Sequence, residues 1–171
     1  MTANNPETVK ADAQQWFAQH WDPGMPLGVW WQLPPAAGWA LPSWPAWFGG
    51  RGLSARATKA AIQARREPGA FGPPNGVATF LAAPTIMHYG TREQQAKYLP
   101  RIVNGRDIWC QLFSEPGAGS DMAGLSTRAT LDGEEWIVNG QKVWNSGAQW
   151  AQYGILIART DPVQPKHRGI S

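Results

Sequence analysis

The apolar run Ile108-Trp-Cys-Gln-Leu-Phe113 stops abruptly in Ser114-Glu-Pro-Gly-Ala-Gly-Ser-Asp121, and this interruption constrains the fold more than any other part of the chain. The run has the length and bulk of a strand. Pro116, Gly117 and Gly119 then forbid its continuation. Two readings of the turn stand side by side. It is a tight connection between strands, or a backbone loop in which the N–H groups around Gly117, Ala118, Gly119 and Ser120 form a nest for a phosphate or a ring carbonyl, with Ser114 and Ser120 at its edges. Upstream of Asp107 the apolar spacing is helical. Downstream it is that of strands, at 108 to 114, about 125 to 131, 134 to 146, and Tyr153 to Arg159, with Asp132-Gly133 as a further turn. The fold class expected is α+β: an all-helical domain over 1–106 followed by an incomplete antiparallel β domain over 107–171.

Downstream of the Pro/Gly turn, Trp136-Ile-Val-Asn-Gly-Gln-Lys-Val-Trp144-Asn-Ser146 holds Asn139-Gly140, a strong hairpin signal. With those two as the loop, Val138 faces Gln141, Ile137 faces Lys142, and Trp136 faces Val143. Trp136, Val138 and Val143 then share one side, and Ile137, Trp144 and Ser146 the other. One face packs a core; the other needs a second partner.

Together, Ser114-Glu-Pro-Gly-Ala-Gly-Ser-Asp121 and Asn139-Gly-Gln-Lys-x-Trp144 resemble the flavin-binding signature of the acyl-CoA dehydrogenase family. The likeness extends upstream through Gly90-Thr-x-Glu-x-Gln-x-x-Tyr-Leu-Pro-x-Ile-x-x-Gly105 and covers roughly residues 40 to 171. It implies FAD lying against the β domain and an acyl-CoA thioester on its other side, with α,β-dehydrogenation as the reaction and fatty acid and lipid metabolism as the setting. Carried over by position, the cofactor contacts are Gln111, Phe113, Ser114, Gly119, Ser120, Trp144, Asn145 and Ser146, with Ser120 also touching substrate. Trp144 flanks the ring, the Ser146 hydroxyl or N–H reaches its polar edge, and Asn145 contributes mainly backbone. Gln111 stands where the family often has an aromatic residue, and Asn145 and Ser146 where it commonly has Thr or a branched one. The family's catalytic carboxylate comes from a C-terminal domain that these residues do not include, so no catalytic residue is nominated here. An electron-transfer flavoprotein or similar acceptor, and a homo- or hetero-oligomeric complete protein, are implied as partners. The competing reading is a non-catalytic truncated product, or a partner subunit of a heteromeric dehydrogenase.

Other features receive plainer readings. Glu115 is structural, bonding loop N–H groups, while Glu134 and Glu135 are solvated. Gly117-Ala-Gly119 is no dinucleotide fingerprint, since Met122 replaces the next glycine, so no nicotinamide cofactor is indicated. From Arg51 to Arg101 eight Lys/Arg oppose two acids, Glu67 and Glu93. A solvated surface is preferred for them over CoA phosphates or nucleic acid, and no nucleic-acid motif accompanies them. Cys110, the single cysteine, is a small buried apolar residue. No metal site is expected.

The N-terminal elements read in order. Asn5-Pro6 opens a helix with Val9, Ala13, Trp16 and Phe17 as its stripe, and Ser54 caps another to about Arg66. The Trp-rich stretch between them is packing rather than a stacking platform. Asn75 begins a helix with Val77, Phe80, Leu81 and Ile86 inward, kinked at Pro84. His88 near its end takes a surface or capping role. Thr91 to Gln94 forms a capping box, and Pro100 breaks the helix it starts. No apolar run approaches a membrane span. The polar Met1 to Lys10 is no secretory segment, so the cytoplasm is the expected compartment.

Overall fold

The computed structural model describes residues 4–171; Met1 to Ala3, the start of the polar segment, lie outside the described residues. Two compact units divide at Arg106 and Asp107.

In the first unit, α1 (Pro6–His20) begins where Asn5 Oδ1 accepts from Glu7 N at 2.9 Å, and its stripe of Val9, Ala13 and Phe17 is buried. α4 (Ala55–Arg66) is capped by Ser54, whose Oγ accepts from Ala57 N. Its buried face is Ala57, Ala61 and Ala64. Small side chains at that spacing let α1 pack close, and the remaining space is filled by indoles: Trp30 and Trp39 belong to the same core, with Trp16, Trp21 and Trp31 against its edge. Between α1 and α4 run the short α2 (Leu27–Trp30) and α3 (Leu33–Ala36). Trp30 Nε1 donates to Phe71 O at 2.9 Å and Trp31 Nε1 to Gly72 O at 2.8 Å, so two consecutive indoles pin the loop beyond α4. Trp30, Trp39 and Trp44 of the Trp-rich stretch are buried packing, as its sequence indicated, while Trp47 is exposed.

The helix expected from Asn75 differs. A π-helical turn, Ala78–Ala82, leads into α5 (Ala83–Tyr89). Pro84 sits just inside α5 rather than kinking a continuous helix: it has no N–H to give Phe80 O, and the turn before it is widened, Ala83 N reaching back to Ala78 O. The widening rotates the inward face onto Thr79, Ala82 and Ala83, while Phe80 is 63% and Leu81 37% exposed. His88 is exposed near the end of α5. α6 (Arg92–Val103) starts at the capping box, Gln94 N donating to Thr91 Oγ1 at 3.2 Å and Thr91 N to Gln94 Oε1 at 2.8 Å. Pro100 does not break it. One missing N–H is outweighed by the buried face of Leu99, Ile102 and Val103; the helix runs to Val103, and the chain turns away at Gly105. There φ is +71°, and a Cβ would collide with Pro74 and Trp31.

In the second unit β1 (Trp109–Leu112) pairs in parallel with β4 (Tyr153–Leu156), and β2 (Arg128–Asp132) pairs antiparallel with β3 (Glu135–Asn139). The antiparallel expectation therefore holds for one pair and not the other. Cys110 is buried and free in β1. Arg159 links the pairs, donating N to Thr127 O at 2.8 Å and accepting from Ala129 N at 3.0 Å. Ala158 and Ser171 exchange N–H···O bonds of 2.9 and 3.0 Å beside an isolated antiparallel bridge between Arg159 and Ile170.

The hairpin at Asn139-Gly140 is not formed. Its place is taken by Asp132-Gly133: Gly133 has φ +61°, and Asp132 pairs with Glu135 across the turn. Gly140 serves a close approach, since a Cβ there would collide with Thr127. Residues 141–146 then leave β3 altogether. Neither face of β3 is covered among the described residues, Trp136 being 53%, Ile137 47% and Val138 46% exposed.

Candidate functional site

β1 ends at Leu112 because the chain folds into a tight turn, Glu115 N donating to Ala118 O at 2.8 Å and Ala118 N to Glu115 O at 3.1 Å. The segment is thus a tight turn. The Ala118 N–H is spent inside the turn, and neither Gly117 nor Gly119 has a left-handed φ. A Cβ on either glycine would meet nothing within 4 Å. The turn itself does not require them.

Glu115 organises the site. Its carboxylate accepts from Ser126 N at 2.6 Å, Ser126 Oγ at 2.8 Å, Thr127 N at 2.9 Å and Lys142 Nζ at 2.9 Å. Burial works to raise its pKa, but the hydrogen bonds from Thr127, Ser126 and Lys142 outweigh it and hold the carboxyl far below the usual range. Lys142 Nζ also donates to Phe113 O at 3.0 Å, and Val143 N to Ser114 O at 2.9 Å. The two sequence motifs are thus clasped together by a buried ion pair and one main-chain bond.

The clasp sets the geometry of the next three residues. Trp144 has φ +59°, the only left-handed non-glycine residue among those described, and its indole is 87% exposed. For a bulky residue this conformation costs about 1–2 kcal/mol. Asn145 is half-buried, and its Oδ1 is buried with no hydrogen-bond partner. Ser146 is exposed, its N–H donating to Trp144 O at 3.0 Å, so only the hydroxyl is free to act outward. Strand alternation therefore does not sort 144, 145 and 146: the expected common face of Trp144 and Ser146 rested on a strand that is absent.

Among the sequence-derived residues, Gln111, Phe113 and Ser114 are half-buried on or just after β1, and the clasp brings 113–114 beside 142–143 and so next to Trp144, Asn145 and Ser146. Gly119 and Ser120 follow the turn and are exposed. Lys142 was missed as a site-building residue because hairpin pairing set it opposite Ile137. Its signal was a lysine in the second motif matching the acid of the first.

Residues 6–106 match the model of the acyl-CoA dehydrogenase N-terminal domain and residues 110–171 that of the middle domain. The chain belongs to the acyl-CoA dehydrogenase family. It is 42% identical over 143 residues to acyl-CoA dehydrogenase IpdE1 of Mycobacterium tuberculosis, covering 84% of this chain and 37% of that protein. The ChsE4–ChsE5 complex from Mycobacterium tuberculosis superposes with a TM-score of 0.70 at 37% identity, over 97% of this chain and 45% of that one. A glutaryl-CoA dehydrogenase from Mycobacterium smegmatis in complex with FADH2 gives 0.57 at 25% identity, over 91% and 42%. This chain spans less than half the length of these relatives. The family is one of FAD-dependent oxidoreductases. No described helix is long and apolar enough to cross a membrane, and no group of metal-ligating side chains occurs among the described residues.

The left-handed Trp144 gives a first test. In Trp144→Gly the strain is released while little buried surface is lost, and urea unfolding is expected to show unchanged stability or a gain of up to about 1 kcal/mol. A loss of stability would mean that the indole is held by packing.

Proposed function

We propose that this chain carries the cofactor-facing part of an FAD-dependent acyl-CoA dehydrogenase that oxidises the α,β bond of an acyl-CoA thioester. One observation carries the reading: a buried Glu115–Lys142 clasp that holds an exposed, strained indole at Trp144. Strain kept on the surface, where packing does not reward it, points to a binding role.

The residues fit the group. The unpartnered Asn145 Oδ1 is an acceptor the fold leaves unused, and Gly117 and Gly119 are glycines that nothing inside the turn demands. In this reading Trp144 flanks a flat ring, and Gln111, Phe113 and Ser114 line the adjoining strand end. Asn145 and Ser146 offer polar groups at the ring's edge. Gly119 lets the cofactor approach the backbone, and Ser120 meets both cofactor and acyl-CoA. FAD, when bound, accepts the hydride from the β carbon. No residue of this chain is assigned as the base that takes the α proton. A heteromeric setting is supported by the two-component ChsE4–ChsE5 relative, and there this chain belongs to one of the two components. An electron-transferring flavoprotein among the structural relatives supports a flavoprotein acceptor.

The test is FAD absorbance after gel filtration, for the chain alone and fused to the part of IpdE1 beyond the matched region. The fused protein is expected to hold FAD stoichiometrically, and Gly119→Val or Trp144→Gly to reduce retention at least tenfold without changing the circular dichroism spectrum. Colourless protein in the fused form would overturn the assignment.

A further inference from the structure

In the helical unit a cavity of about 340 Å³ lies between α4, the Trp39–Ser43 segment and the loop 72–75 that precedes the π-helical turn. Its walls are mainly apolar, among them Leu41, Pro42, Ile62, Pro73 and Phe80. One charged side chain lines it: Arg65, near the end of α4. No Asp or Glu is in the lining, and among the described residues Arg65 has no hydrogen bond or ion pair. The acid nearest in sequence, Glu67, is committed elsewhere, bonded to Lys10 at 2.8 Å and to Gln14 at 2.6 Å.

Arg65 is held rather than loose. A Cβ at residue 72 would collide with its Nη1, so the guanidinium lies against the Gly72 backbone, which Trp31 fixes from the other side through Nε1. Burial lowers the Arg65 pKa, and the neighbouring Arg66 lowers it further. The group nevertheless stays charged. Of the wall's hydroxyls, Thr58 donates to Leu53 O and Thr79 to Pro74 O, while Ser43 and the Asn75 amide stand exposed at its edge. Trp39 contributes a buried Nε1 that has no partner.

A half-buried, unpaired guanidinium in an apolar cavity is an unbalanced positive charge with a planar two-pronged donor set. The volume suits a small molecule rather than a peptide segment. We propose that this cavity binds a monocarboxylate with an apolar body, the carboxylate meeting Arg65 and the body the walls. The site stands apart from the flavin reading and requires no flavin.

Isothermal titration of the whole chain, without flavin, with sodium octanoate and with octanamide tests this. Octanoate is expected to bind at least tenfold more tightly than octanamide. Arg65→Met removes that difference, Arg65→Lys keeps part of it, and Arg66→Gln, at an exposed neighbour outside the lining, leaves it intact. Ile62→Phe, which narrows the cavity and retains the charge, weakens both ligands and so serves if Arg65→Met does not fold. Equal affinity for the two ligands, absence of octanoate binding, or undiminished discrimination in Arg65→Met would each overturn the assignment while leaving the flavin reading untouched.

Discussion

Lys142→Met is expected to destabilise the second unit by about 3–5 kcal/mol, the usual cost of stripping one partner from a buried ion pair. The side chains of Lys142 and Glu115 are 8% and 3% exposed. Methionine preserves the length of the side chain but leaves Glu115 charged in the interior and Phe113 O without its donor. Protonating Glu115 offers little relief. A neutral carboxyl would present a hydrogen toward donors already in place at Ser126 and Thr127. For the same reason Glu115→Leu combined with Lys142→Met does not restore stability, because the loop N–H groups lose their acceptor. Amide hydrogen exchange over residues 109–159, with the helical unit as internal reference, reads the effect. A change below about 1 kcal/mol would mean that the clasp is not what joins the motifs.

The same carboxylate fixes the sign of the pH response. Its pKa in the folded chain is depressed below that of the unfolded chain, so its contribution is fully present above the unfolded value, about 4.3 for Glu. It is lost as pH falls below that value toward the folded pKa. Acid is expected to loosen the second unit from about pH 4 downward, and Glu115→Gln to flatten that dependence.

How legible the chain was depends on the kind of signal. The caps at Asn5, Ser54 and Thr91 were readable because a side-chain oxygen bonding a free N–H is settled within three residues. The buried stripe of α1 followed from spacing alone. Pro84 and Pro100 were harder, since a proline's effect depends on tertiary burial: the core held α6 through Pro100, while the turn before Pro84 widened to the π form. At Asn139-Gly140 the local hairpin preference lost to a non-local demand. Gly140 had to pass Thr127, and Lys142 had to reach Glu115. Glu115 was legible as a structural acid. The strained backbone of Trp144 was not, because no residue pattern around it announces a left-handed tryptophan.

Trp30→Ala is expected to cost the helical unit about 3–5 kcal/mol, through lost burial, a residual cavity and a freed carbonyl. Trp30 has no exposed surface, and its ring lies 4.7 Å from that of Trp21, 6.1 Å from Trp16 and 6.2 Å from Phe17. Alanines on α4 line part of the same core and cannot expand to fill the gap. Trp30→Phe separates the contributions: it keeps most of the packing and abandons the bond to Phe71 O, for about 1–3 kcal/mol. Trp47→Ala, at a residue 74% exposed, is the control and should stay within about 0.5 kcal/mol. Urea unfolding monitored by circular dichroism at helical wavelengths measures all three. Because Phe71 precedes the glycine on which Arg65 rests, loss of the Trp30 bond should also disorder the carboxylate cavity. Octanoate affinity is therefore expected to fall in Trp30→Phe even where the fold survives, and an unchanged affinity would show that Trp31 alone positions Gly72.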